Sequence, residues 1–349
     1  MKILYLYAEI MGYTMATIRN LAERGLDVHV VHWDHNKLTP YQAPIVPNVF
    51  VYNRSTLTVD AMLQLADKIN PAVVVVSGWM DKGYMAVAKN LRARGLPIVM
   101  GIDGQWHGTI KQCLQVLLAR AGYFAQFYSH AWVAGLYQFE YVRKLGFDKG
   151  NIVYDLYSAD LIAFNKSYIN SINIKKLHYP HRFLFVGRFE PIKGLNVLLQ
   201  AWEHLSTKRS DWELHLIGNG SLKDKLLSTS GVVVKDFMHP EQLIQEVASS
   251  GCFLLPSCGE PWGVVVHEFT AAGLPIIVSD VVGAASTFLI SGVNGYSFKV
   301  NDPRSLVKRM QQIIDMSDHE LNAMSVHSHT LSQRITPETS AGNLLSVFS

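Results

Sequence analysis

The sequence predicts an α/β protein made of two Rossmann-like β/α/β domains facing each other across a cleft. Three observations carry that expectation. Short continuous runs of β-branched residues alternate with segments of helical period, which is the pattern of a parallel sheet covered on both faces. The alternation stops in a polar, irregular stretch between Asp160 and His181 and then restarts. The chain length of 349 residues exceeds the usual ceiling for a single hydrophobic core.

Taken in order, ILYLYA (3–8) reads as a buried strand, TMATIRNLAERG (14–25) as a helix closed by Gly25, and DVHVVHW (27–33) as the next strand. After a Pro-containing stretch, VDAMLQLADKIN (59–70) reads as a helix stopped before Pro71. AVVVVSG (72–78), the helix YMAVAKNLRARG (84–95) and the strand PIVMGID (97–103) continue the alternation, followed by a helix from about Thr109 and a strand at AWVAG (131–135). DLIAFNKSYINSINIKKLHYPH reads as an interdomain linker. Beyond it come RFLFVGR (182–188), the helix LNVLLQAWEHL (195–205) and WELHLIG (212–218), with KLLSTS, GVVVKDF, EQLIQEVASS, CFLLPS and LPIIVSD extending the same pattern. TPETSAGNLLSVFS has helical spacing and is expected to pack back onto the first domain. The reading is a first domain of residues 1–162 completed by a C-terminal helix at about 336–349, and a second domain of residues 163–335.

Composition narrows the function classes. An apolar fraction of 49% with 17% charged residues excludes a disordered chain. Cys113, Cys252 and Cys258 lack disulfide-framework or metal-ligand spacing, which fits a reducing compartment. The net charge of +3 is too small to mark a nucleic-acid binder. Residues 1–150 hold 15 basic and 10 acidic side chains, a modest excess that suits an anionic lipid or substrate as well as ordinary scatter. The opening MKILYLYAEIMGYT is too short for a signal peptide, and no stretch approaches a membrane span. The expected location is cytoplasmic, with peripheral contact at the inner face of the cell membrane as an option. KQCLQVLLARAGYFAQFY (111–128), with Lys111 and Arg120, reads either as a helix resting on a membrane or as an ordinary helix with buried leucines.

Ligands of open α/β sheets sit beyond the carboxyl ends of the strands. That directs attention to the loops EIMGYT, SGWMDKG, IDGQWHG, GRFEPIKG, GNGS and SCGEPWG. In VGRFEPIKG (186–194), Arg188 ends a strand and Lys193 precedes a helix, with Gly187 and Gly194 allowing close approach. Two such cations suit a diphosphate, although Arg188 paired with Glu190 beside a solvated Lys193 is the plainer alternative. No G-x-x-x-x-G-K-[ST] loop or G-x-G-x-x-G is present, which disfavours ATPase and dinucleotide chemistry. In GEPWGVVVHEFTAAGLPIIVSD, Glu260 falls in a loop and Glu268 inside a helix running from Gly263 to Gly273. The amides of Trp262, Gly263 and Val264 then offer donors to a phosphate, with a carboxylate on either side for sugar hydroxyls.

VGRFEPIKGLNVLLQAW, LIGNGSLKDKL and EPWGVVVHEFTAAGLPIIVSDVVGAASTFLISGVNGYSF together resemble the second domain of family 4 glycosyltransferases, which have the GT-B fold; Glu260 and Glu268 stand in that family's Glu-x7-Glu pattern. The resemblance covers roughly residues 180–310 closely and the first half in outline. It implies a retaining, metal-independent hexosyl transfer without a cofactor, from a UDP- or GDP-sugar to a saccharide or lipid-linked saccharide, in surface polysaccharide or lipopolysaccharide assembly. Another GT-B activity, a nucleotide-sugar epimerase or a sugar-phosphate synthase, and a non-catalytic nucleotide-sugar-binding protein are the alternatives. By resemblance, Arg188 and Lys193 bind the donor diphosphate, Glu260 with Pro261 and the Trp262–Val264 amides meets the donor sugar and phosphate, and Glu268 holds the ribose. The resemblance further implies that the base lies against the loop around Lys235–Met238, which carries Asp236 and Phe237, bordered by the Gly218–Gly220 turn, and that Gly187 is among the donor-binding residues. In the first half the resemblance thins. Asp103 or His107 stands where a histidine is common, Gly12 where a glycine pair is, and YDLYSAD (154–160) departs from the pattern altogether.

Overall fold

Strands such as Val73–Ser77 have no polar face because helices cover both sides of the sheet they enter. The computed structural model describes residues 1–34, 41, 43–206, 211–238 and 240–348, and the chain divides into two compact units: Met1–Asp160 with Ile335–Ser349, and Leu161–Arg334.

Unit 1 opens with β1 (Lys2–Tyr7), α1 (Gly12–Glu23), β2 (Asp27–His32) and β3 (Val49–Asn53). It continues through α2 (Val59–Ile69), β4 (Val73–Ser77), α3 (Lys82–Ala93), β5 (Ile98–Ile102), α4 (Ile110–Arg120), β6 (His130–Val133), α5 (Leu136–Lys144) and β7 (Ile152–Val153). The seven strands are parallel in the order β3-β2-β1-β4-β5-β6-β7. Because the order reverses between β1 and β4, the loops after these strands diverge and leave room for a ligand there.

Unit 2 begins with α6 (Leu161–Leu177), β8 (Arg182–Val186), α7 (Leu195–His204), β9 (Glu213–Ile217), α8 (Lys223–Leu227), β10 (Val232–Lys235) and α9 (Pro240–Ala248). β11 (Cys252–Leu255), α10 (Val264–Ala271), β12 (Ile276–Ser279), α11 (Ala285–Phe288), β13 (Gly295–Phe298), α12 (Pro303–Ile314) and α13 (Asp318–Ser332) complete it. Its six parallel strands lie in the order β10-β9-β8-β11-β12-β13, with the reversal between β8 and β11.

The last helix, α14 (Pro337–Leu345), belongs to unit 1. Thr336 and Thr339 close its first turn in a capping box, with Pro337 at the position where a missing amide costs nothing. It packs on α1, where Thr17 Oγ1 donates to Ser340 Oγ at 3.1 Å and Arg24 donates to the Glu338 carbonyl at 2.8 Å. Asn343 donates to Asp155 Oδ2 at 2.9 Å. Ser349 lies outside the described residues.

One sequence expectation is corrected. The stretch read as an irregular linker is α6, a helix of 17 residues. Its pattern is inverted: Ser167, Ser171 and Lys175 are buried, while Ile162, Ile169, Ile174 and Leu177 are exposed. Leu161 and Phe164 begin the buried face; beyond them small hydroxyl side chains let α6 approach α9, α10 and α13 closely, so the apolar period stops after the first turn. Lys175 is buried with its ammonium donating to the Ser250 carbonyl at 2.9 Å, and burial pulls its pKa down to about 7.

Candidate functional site

The carboxyl edge of the unit 2 sheet is assembled from glycines that permit close backbone approach. Gly194, at φ 70°, follows the single 3₁₀ turn Pro191–Lys193 and sits so near the β11 loop that a Cβ would lie 1.8 Å from the Pro256 carbonyl oxygen. Gly218, at φ 152°, would place a Cβ 1.9 Å from the Gly187 carbonyl oxygen. Only glycine satisfies both the backbone conformation and the space at these positions.

Backbone hydrogen bonds join the loops that these glycines bring together. Gly187 N donates to Ile217 O at 3.0 Å, Phe189 N to Asn219 O at 2.8 Å, and Gly218 N to Lys235 O at 3.1 Å. Cys258 N donates to Ile192 O at 2.7 Å, tying the β11 loop to the 3₁₀ turn. Glu190 accepts from both the amide and the hydroxyl of Ser221, at 3.1 and 2.7 Å, and these bonds hold its pKa below the usual carboxylate value.

Lys193 and Glu260 meet at the reversal of strand order. Lys193 Nζ lies 2.5 Å from Glu260 Oε2, with only 17% and 13% of the two side chains exposed. The buried Ser257 hydroxyl donates to the same carboxylate oxygen at 3.0 Å, and Ser257 O accepts from Ser279 Oγ at 2.5 Å. Glu260 is fixed along its backbone as well, through a bridge to Val282 and a 3.1 Å bond from Gly283 N to its carbonyl. Removing either partner of so enclosed a pair would strand the other charge.

α10 starts beside this pair. Gly263, at φ 92°, turns the chain into the helix, and a Cβ on it would come within 3.0 Å of Glu260 Cγ. The first-turn amides of a helix have no intrahelical acceptor; Val266 N already donates to Gly263 O at 2.9 Å, so those of Val264 and Val265 present donors and positive dipole near Glu260. Trp262 is buried, with its ring edge-on to Phe288 and its carbonyl accepting from Ala284 N at 2.8 Å. Pro261 beside it is exposed, and Glu268 lies one turn into α10, half-buried.

Arg188 stands exposed in the loop after β8, and its charge adds a lesser downward pull on the Glu190 carboxyl. Sequence reasoning set Arg188 and Lys193 together as a pair of cations. The structure couples Lys193 to Glu260, 67 positions away. Asp236 and Phe237 are exposed in the loop after β10, where Asp236 pairs with Lys223.

In unit 1, Asp103 follows β5 and Gly12 opens α1 after β1, so both lie at the carboxyl edge of that sheet. His107 is exposed further along the same loop, its amide donating to Gln112 Oε1 at 2.8 Å. Sequence reasoning missed the tyrosines here. Tyr157 reaches Asp103 Oδ2 at 3.5 Å, and its ring meets Tyr13 edge-on at 4.8 Å. Burial, then the Asp103 charge, raises the Tyr157 pKa, while burial and neighbouring Tyr13, Tyr5 and Asp103 raise that of Tyr7. These phenols therefore stay protonated donors at neutral pH. The sequence signal was the aromatic content of YLY, inside the first strand, and of YSAD, inside a segment that matched no motif.

Comparison with known proteins finds a sequence likeness in the second unit. Residues 171–325 match the family model described as glycosyl transferases group 1. An uncharacterized glycosyltransferase of Methanocaldococcus jannaschii is 33% identical over 140 residues, covering 38% of each chain. The chain spans less than half the length of the curated relatives it matches. Whole-chain likeness comes from solved structures. HepE of Anabaena, in complex with UDP, has a TM-score of 0.76 at 15% identity, covering 100% of this chain and 99% of its own. The lipopolysaccharide outer core galactosyltransferase WaaB, in its apo form, has a TM-score of 0.70 at 17% identity, covering 100% of this chain and 99% of its own. The two parallel-sheet, Rossmann-like units are thus those of the GT-B fold.

Proposed function

We propose that this chain is a retaining hexosyltransferase that takes its sugar from a nucleotide diphosphate donor and passes it to a saccharide or lipid-linked saccharide. The observation that carries the reading is the Lys193–Glu260 contact at 2.5 Å, set at the strand-order reversal of unit 2 beside the start of α10.

An ammonium group has three donors. Lys193 can keep one on Glu260 and turn the others to phosphate oxygens, so the pair holds diphosphate and sugar in fixed relation. As the glycosidic bond to phosphate breaks, charge grows on the departing diphosphate. Lys193, Arg188 and the α10 amides meet it as preorganised positive groups, the arrangement that contributes most to catalysis of such a step. Glu260 accepts from hydroxyls of the donor sugar and Glu268 from those of the ribose. The β10 loop with Asp236 and Phe237 borders the base. In unit 1, Asp103 orients the acceptor hydroxyl, with Tyr157 holding the carboxylate in place and Gly12 and His107 bordering the same edge. No divalent ion or other cofactor takes part, since fixed cations supply the charge.

HepE is solved with UDP and with UDP-glucose, which makes UDP-sugars the first donors to try and GDP-sugars the second. WaaB, a galactosyltransferase of the lipopolysaccharide outer core, suggests surface glycans as acceptors. The test is transfer from such donors by the parent chain and by Lys193→Ala and Glu260→Ala. Each variant is expected to lose roughly 10²–10³-fold in kcat, with circular dichroism unchanged and parent activity persisting in excess chelator. Parent-level rates in both variants would overturn the site, and strict dependence on a divalent ion would overturn the metal-free step.

A further inference from the structure

α6 turns a polar stripe inward. Ser167, Ser171 and Lys175 recur every fourth residue, so they share one face of the helix, and all three are buried. At about 1.5 Å per residue the stripe runs roughly 12 Å along the helix axis. Its groups are short of partners. Among the described residues the Ser167 hydroxyl, 3% exposed, has none. Ser171 Oγ donates to the Tyr168 carbonyl at a long 3.4 Å. Lys175 Nζ uses one of its three donors on Ser250 O and lies 5.8 Å from the centre of the Tyr179 ring. Burial is the one cause of its lowered pKa, and among the described residues no carboxylate pairs with it.

These three residues line a cavity of about 680 Å³ formed by α6, α9 and the starts of β8 and β9, a size ordinary for a small-molecule site. It lies at the amino edge of the unit 2 sheet, the end opposite to Lys193 and Glu260. Ile174, Pro180, Ile244 and Ala248 give it apolar wall. The other charged groups of its lining already hold partners. His181 sits between Asp211 at 2.7 Å and Asp318 at 3.2 Å, while Arg182 lies 3.2 Å from Glu213 and 3.8 Å from Glu246. Lys175 is the cation left without a counter-charge, and His178 adds a further imidazole to the lining.

We propose that this cavity binds a small hydroxylated anion, a sugar acid or a sugar phosphate, with the anionic group on Lys175 and the hydroxyls along Ser171 and Ser167. An ammonium buried without a counter-charge is stabilised by an anion brought to it. A buried hydroxyl without a partner gains in the same way from a ligand that can hydrogen-bond. The stripe is longer than one carboxylate or phosphate group, so hydroxyls fall at its far end. A neutral sugar would leave Lys175 uncompensated, and a bare phosphate would leave Ser167 unpaired. This site lies outside the donor machinery and goes beyond the transfer reaction. Binding is measured without donor or acceptor, so it can fail while the proposed chemistry stands, or the reverse.

The experiment is calorimetric titration of the whole chain with gluconate, glucose 6-phosphate, glucose and inorganic phosphate. Gluconate or glucose 6-phosphate is expected to bind with a Kd below about 1 mM, at least roughly tenfold tighter than glucose or phosphate. Binding by one of the two alone supports the site and fixes its anionic group as carboxylate or phosphate. Lys175→Met should weaken the bound anion at least roughly tenfold. Gln245→Glu, an exposed change that brings a like charge to the lining, should weaken it severalfold. Ser167→Ala should weaken it roughly threefold to tenfold without lowering the thermal melt, because the hydroxyl removed has no partner among the described residues. These two variants decide the matter should Lys175→Met fail to fold. Lys193→Ala should bind as the parent does. The proposal is overturned if neither hydroxylated anion binds, if inorganic phosphate binds as tightly, or if either Ser167→Ala or Gln245→Glu matches the parent. Loss of binding in Lys193→Ala would overturn it too, by moving the anion to the donor site.

Discussion

In unit 2 the loops beyond β8, β9, β10 and β11 hold one another by backbone hydrogen bonds, around glycines with no room for a methyl group. The corresponding edge of unit 1 is made differently, from Tyr7, Tyr13 and Tyr157 around Asp103. One edge positions its charged groups by main chain, and the other by side-chain packing. Main-chain positioning tolerates almost no substitution, whereas rings around a carboxylate can be exchanged one at a time. On the proposed function this is a sensible division, since a nucleotide diphosphate presents the same groups in every donor while acceptors differ.

The largest expected effect comes from breaking the rigid edge. Gly194→Ala must relieve a 1.8 Å approach to Pro256 O at a positive φ, which should cost about 3 kcal/mol in a denaturant titration and displace Lys193. Gly12→Ala is the matched change in unit 1, where the added methyl meets only Tyr41 Cε2 at 3.9 Å, and it should shift stability by less than about 0.5 kcal/mol. Equal costs for the two substitutions would erase the contrast.

A smaller effect separates the units by pH. Lys175 of unit 2 has its folded pKa lowered from 10.5 to about 7 by burial. Between those values the unfolded chain binds more protons than the folded one, so stability rises with pH across the window and the full penalty is present below pH 7. In unit 1 the buried Tyr5, Tyr84 and Tyr128 have raised pKa values, and their contribution is lost only as pH climbs above the ordinary tyrosine range. Moving from pH 7 to 9 should therefore stabilise unit 2 by roughly 2 kcal/mol while leaving unit 1 nearly unchanged. Lys175→Met should remove that slope in calorimetric melts, and a slope that survives would clear the lysine of responsibility.

The smallest effect concerns the tyrosine edge itself. Tyr157→Phe deletes one long hydrogen bond to Asp103 and keeps the ring packed on Tyr13. It should raise the KM for acceptor about threefold to tenfold, with the donor KM unaltered. An equal rise for donor would mean that Tyr157 does not serve the acceptor.

What the sequence disclosed follows the same physics. The alternation 3–8, 14–25, 27–33 was legible because strands buried on both faces, such as LYLY and VVVV, are continuously apolar. β3 was not, since VFVYN lies at the sheet edge with Phe50 and Val51 exposed. α6 and α13 escaped because Ser167, Ser171, Ser325, Ser328 and Ser332 interrupt the buried apolar residues of their inner faces, Leu161 and Phe164 in α6 and Leu321, Met324 and Leu331 in α13. At the site, the glycines and both carboxylates were visible as strand-end motifs. The Lys193–Glu260 contact was invisible, because nothing in either local stretch announces a partner 67 residues distant.

The return of α14 to unit 1 sets an order on synthesis. The polar inner face of α1, with Thr14, Thr17 and Asn20 buried, gains its cover only after all of unit 2 has been made. On a ribosome unit 1 must therefore wait with its sheet formed and α1 uncovered while the second domain emerges. The final segment then acts as a clasp, and a chain released early would carry a finished second unit beside an unfastened first one.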